Sequence, residues 1–147
     1  MKKLFTIIFL ISAVASFSQS AELIGEYFLD FGEDNHRVEH KLILNREGTF
    51  TFHSYSNVHA GLPQIVHQYG RGNWSLDKKV VYFFTNQEKD IDEKYTLDFG
   101  GSKARFITKP ARDKTDRIVQ TRLQFFDSGI FWVKRLELFR IITSIDP

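Results

Sequence analysis

The run Leu42-Ile43-Leu44-Asn45-Arg46-Glu47-Gly48-Thr49-Phe50-Thr51-Phe52 restricts what this chain can fold into more than any other stretch. Apolar residues recur at every second position on both sides of a polar link, and successive side chains of a strand point to opposite faces. With Gly48 in the left-handed position of a three-residue loop, Leu44 stands opposite Phe50 and Leu42 opposite Phe52. One face of the hairpin is then greasy and the other polar. His40 falls on the Leu42 face and His53 on the opposite one. A sheet with one such face must be covered by a second layer or curl upon itself.

The same alternation recurs between short polar links, giving nine candidate strands at 23–30, 39–45, 49–56, 65–76, 79–85, 94–99, 103–108, 118–126 and 130–141. Short links favour antiparallel neighbours, and no amphipathic helix of three turns is present to support a parallel crossover. Fifteen phenylalanines, five tyrosines and two tryptophans suit pleated surfaces and bury roughly 150–250 Å² each. The expected fold is all-β: an antiparallel meander of about eight to ten strands closing into a barrel or half-barrel, with a two-sheet sandwich as the alternative. Closure near this strand number removes exposed edges.

Two further hairpins are expected. A two-residue Gly100-Gly101 loop would set Asp98 across from Lys103. A turn at Asp127-Ser128-Gly129 would bring Phe125 and Phe126 against Ile130 and Phe131, with a bulge where the far strand loses phase at Lys134-Arg135. Residues 57–64, 86–93 and 109–117 read as loops.

The N-terminus has a separate logic. Lys2 and Lys3 precede an apolar run from Leu4 to Val14, too short for the roughly 20 residues a membrane-crossing helix needs. Small residues at Ser16, Ser18 and Ser20 offer cleavage after Ser18 or Ser20, so residues 1–20 read as a cleavable signal peptide and 21–147 as one domain. The expected destination is the periplasm or the extracellular medium, with no integral membrane segment after cleavage. Two of the 20 basic residues would leave with the signal, so the remainder carries 18 charges of each sign. That balance gives no one-sided field to steer the protein onto nucleic acid. The chain has no cysteine, so the core must supply stability without disulfides or thiolate metal sites.

Several short elements resemble small secreted lipocalin-like domains of the calycin group. Gly25-Glu26-Tyr27 is similar to the Gly-x-Trp opening of the first lipocalin strand, and Leu42 to Phe50 follows as a Leu-x-Leu-x-x-x-Gly-x-Phe hairpin. Gly72-Asn73-Trp74 repeats the glycine-aromatic theme, and Arg140 resembles the arginine that closes over the first-strand aromatic. The likeness would cover most of residues 22–142. It departs from the group in placing Tyr27 where the tryptophan stands, in having no Thr-Asp-Tyr element and in excluding the frequent disulfide. It implies a barrel around a ligand site.

No Gly-x-Ser-x-Gly elbow, phosphate loop, HExxH pair or catalytic cysteine is present, so the expectation is a non-enzymatic protein without cofactor. The five histidines, His36, His40, His53, His59 and His67, lie in one third of the chain but read as surface and loop residues, with no metal assigned. The acidic loop Glu88, Asp90, Asp92, Glu93 lacks the glycine and spacing of a calcium loop. Inward aromatics could line a ligand cavity or fill a solid core. The candidate ligand-binding residues are Tyr27, Phe52, Tyr69, Arg71, Trp74 and Trp132. The leading expectation is an exported lipocalin-like barrel whose interior or open end binds a small, largely apolar ligand. The alternative is a cell-envelope module that contacts another protein through the loop at 57–64 or a strand edge.

Overall fold

A computed structural model describes residues 21–142; the expected signal peptide lies outside the described residues. Nine strands follow one another: β1 Gly25–Glu33, β2 His36–Leu44, β3 Thr49–Val58, β4 Ile65–Asp77, β5 Val80–Phe84, β6 Tyr95–Leu97, β7 Lys103–Ile107, β8 Arg122–Asp127 and β9 Glu137–Arg140. Strands β1 to β5 form an uninterrupted antiparallel meander, β5 pairs with β7, and β7, β8 and β9 continue it. Strand β9 returns to β1 through Tyr27↔Arg140 and Phe28↔Phe139, which closes an eight-stranded barrel. Strand β6 is additional and lies parallel to β4.

The first hairpin forms in the expected register, with Leu44↔Phe50 and Leu42↔Phe52, and Gly48 turns at φ +86°. All four apolar residues are buried, as alternation requires. The pairing runs on through β1 and β4, so side chains on the inner face stand in rows across four strands. One row is Tyr27, Leu42, Phe52 and Gly70; the next, towards the other end, carries Leu44, Phe50 and Gly72. The glycines leave room on β4 for rings from elsewhere. A Cβ at Gly70 would lie 2.7 Å from the Phe99 ring, and one at Gly72 would lie 3.0 Å from Phe50 and 2.0 Å from the Phe84 carbonyl oxygen.

Phe99 fills the middle of the barrel. Its ring centroid lies 4.9 Å from that of Phe52, 5.5 Å from Phe50, 6.2 Å from Phe83 and 6.3 Å from Phe125. Tilted and edge-on contacts of this kind are the favoured geometry for aromatic rings and leave a packed interior. The solid core is therefore what this part of the barrel contains.

Two expected hairpins form differently. Gly100 and Gly101 do turn the chain, with Ser102 N–H donating to the Phe99 carbonyl at 2.9 Å, but the strand before them runs parallel to β4 and the strand after them joins β5. Burying Leu97 and Phe99 inside the barrel outweighs a local two-stranded ribbon, which is marginal in water. Asp98 instead accepts the Gly100 N–H at 2.8 Å, and Lys103 lies 3.7 Å from Asp127. After the turn at Ser128, residues 130–136 form two consecutive tight turns rather than a bulged strand, with Val133 N–H donating to Ile130 and Leu136 N–H to Val133. The spacing of Ile130, Val133 and Leu136 is the helical one, and it puts Val133 and Leu136 into the core. Likewise residues 118–121 approach β8 outside the sheet, with Ile118 exposed.

Candidate ligand site at the open end of the barrel

The eight strands are unequal, and the inequality makes the site. Strands β5, β7, β8 and β9 are short, whereas the β1–β2 and β3–β4 hairpins extend past them. Strand β9 covers only Tyr27 and Phe28 of β1, and β6 meets β4 only at Tyr69 and Gly70. Beyond those points, residues 29–33 of β1 and 65–68 of β4 pair on one side alone among the described residues. The result is a four-stranded flap that extends past its neighbouring strands.

Two more inner rows lie on this flap. Leu29, His40, Ser54 and Gln68 form the first, and Phe31, Val38, Ser56 and Val66 the second. Phe52 and the packed rings below form the floor. Trp132, carried by the turns at 130–136, lies against the first row from the opposite side. Phe31 remains 47% exposed, a large apolar ring beside the first row.

His40 is the titratable group in this setting. Its ring stacks with Trp132 at 5.2 Å and Phe52 at 5.9 Å, with Phe31 at 6.1 Å. The residue is only 6% exposed, and Nδ1 is buried with no hydrogen-bond partner. Burial pushes its pKa down to about 4, so the imidazole is neutral at pH 7 and offers one donor and one acceptor. A buried polar atom without a partner costs about 1–3 kcal/mol, which a ligand that satisfies it would recover.

The candidate residues from the sequence divide into three groups. Phe52 and Trp132 meet at the trough, with centroids 6.0 Å apart. Tyr27 and Trp74 also point inward but are enclosed: Tyr27 Oη donates to the Leu23 carbonyl at 2.6 Å, and Trp74 Nε1 donates to the Asn45 carbonyl at 3.2 Å. Tyr69 and Arg71 lie on the outer face of β4, since Gly70 and Gly72 between them face inward. Arg71 sits 4.1 Å from the Tyr95 ring centroid, pairs with Asp92 at 2.9 Å and donates to the Asp90 carbonyl at 3.2 Å. It fastens the loop before β6 to the barrel wall. Sequence reasoning missed Phe31 and His40 as site residues, although the placement of His40 on the Leu42 face already carried the signal.

Among the described residues, no group of three or more His, Asp or Glu side chains is placed to hold a metal ion. No helix among them is long and apolar enough to cross a membrane. Comparison with family models, curated proteins and solved structures gave no match to this chain.

Proposed function

We propose that this protein is an exported, non-enzymatic binding protein of lipocalin-like architecture, whose open barrel end takes a small, largely apolar ligand. The barrel itself supports a binding architecture, and the N-terminal sequence supports export. The observation that carries the reading is His40 Nδ1, buried and without a partner between aromatic rings on the flap that extends past its neighbouring strands. Apolar walls with a few convergent polar groups are the usual composition of small-molecule sites. The ligand class that fits is a flat, mainly hydrocarbon molecule with one hydrogen-bonding group, stacking on Phe31 or Trp132 while that group meets His40.

The test is a titration of the purified protein with 1-anilinonaphthalene-8-sulfonate and with uncharged flat aromatic probes, followed by probe and tryptophan fluorescence. The expected result is saturable one-site binding that Trp132→Ala and Phe31→Ala each weaken about tenfold or more. Absence of saturation, or binding by both variants as tight as by the parent, would overturn the reading.

The unpaired edges at 29–33 and 65–68 favour a second reading, an envelope interaction module that adds a partner strand to the flap. Loss of partner capture on introducing proline at Gln68, with probe binding intact, would select it.

A further inference from the structure

The outer face of the same flap carries an arrangement that the sequence does not announce. His53 on β3 stands opposite Tyr69, and His67 on β4 stands opposite Tyr55, so the two histidines are diagonal neighbours. His53 Nε2 and His67 Nδ1 are 2.9 Å apart. The ring planes differ by 3° and the centroids are 5.2 Å apart, so the nitrogen-bearing edges face one another. Tyr69 stacks on His53 at 4.6 Å and 9°, which restricts that ring. The pair lines a concavity of about 430 Å³ together with Asp34, Arg37 and Glu39.

The geometry points to a divalent transition-metal site, held by His53 Nε2 and His67 Nδ1, that prefers Cu²⁺ to Zn²⁺. The 2.9 Å contact is a hydrogen bond between coplanar rings, so both rings must turn before their nitrogens converge on one ion at metal–imidazole distances of roughly 2.0–2.1 Å. Imidazole pairs suit Cu²⁺, the tightest-binding divalent metal in the first-row order. Water would fill the remaining positions. Arg37 is already paired with Asp30 at 2.8 Å and Glu39 at 2.9 Å, which limits its repulsion of a cation. Without metal the two rings can share one hydrogen bond, one donating and one accepting. The site lies outside the barrel and is independent of the inner trough.

The experiment is calorimetric titration of the purified protein with Cu²⁺ supplied as its glycine complex, and with Zn²⁺, combined with electron paramagnetic resonance of the Cu²⁺ form. The expected result is one Cu²⁺ per chain, nitrogen superhyperfine structure from two imidazoles, and Zn²⁺ bound at least tenfold more weakly. His67→Ala, whose ring is exposed and whose loss leaves the core untouched, should weaken Cu²⁺ about tenfold or more, and His53→Phe likewise. His36→Ala and His59→Ala should change nothing. No stoichiometric uptake, uptake unchanged in His67→Ala, or uptake lost in His36→Ala or His59→Ala would each overturn the site. Circular dichroism of every variant separates loss of binding from loss of fold.

Discussion

The ring of Phe99 rests against the backbone of Gly70 so closely that a single added methyl group would meet it at 2.7 Å. Backbone and ring have no slack, because Phe99 is also held by Phe50, Phe52, Phe83 and Phe125. Gly70→Ala is expected to destabilise the protein by about 1–3 kcal/mol through overpacking. Chemical denaturation of the single variant, and of Gly70→Ala combined with Phe99→Leu, checks the cause: the smaller side chain should recover part of the loss.

Phe99→Ala should cost about 3–5 kcal/mol, the usual range for emptying a large core site. Where the fold survives, the barrel would contain an apolar void, and such voids stay dry and accept benzene or xenon. Thermal denaturation with and without benzene should show stabilisation of this variant and none of the parent.

His40 makes stability depend on pH. Its pKa is about 4 in the folded protein against 6.5 unfolded, so the unfolded chain takes up the proton first as the solution is acidified. Its contribution is fully present above about pH 6.5, declines as the pH falls and is gone below about pH 4, about 3 kcal/mol in all at most. Urea midpoints measured from pH 7 to pH 4 should fall for the parent and fall less steeply for His40→Phe. Equal slopes would show that this imidazole titrates normally.

Tyr27 has its pKa pushed up to about 12 by burial, with the nearby Arg140 charge acting in the opposite sense. Spectrophotometric titration should find one of the five tyrosines ionising well after the others, and Tyr27→Phe should remove that late step. The same change leaves the Leu23 carbonyl without its donor and should lower stability by about 1–2 kcal/mol. A late step surviving in Tyr27→Phe would assign it elsewhere.

The strands, their antiparallel order and the register of the β2–β3 hairpin were legible because alternation and Gly48 are local signals that burial reinforces. The placement of β6 was not, since Gly100-Gly101 is a genuine turn and only the distant Gly70 reveals where Leu97 and Phe99 go. The β4–β5 link carries Lys78 at φ +47° and Lys79 at φ +70°, left-handed lysines that no turn signature announces. Val133 and Leu136 hide a helical spacing inside an apolar run that also reads as a strand. At the site, Phe52 and the inward face of His40 follow from alternation, whereas Trp132 is carried by a turn. Tyr69 and Arg71 share a strand face, yet which face is inner depends on the glycines between them. The meeting of His53 and His67 needs the β3–β4 register, which the long loop at 57–64 conceals.

The side chain of Arg140 donates to the carbonyls of Glu22 and Ile24, residues 118 and 116 positions earlier. That clasp makes the seam of the cylinder a long-range event: β1 and β2 pair across a short turn, but β1 keeps a bare flank until β9 reaches it. Contacts so distant in sequence are slow to form, and an unsealed flank is a template for another copy of the same strand. Folding of this protein is therefore a race between its own last strand and a neighbour's, and crowding of nascent copies should yield dimers in which β9 has crossed from one molecule to the other.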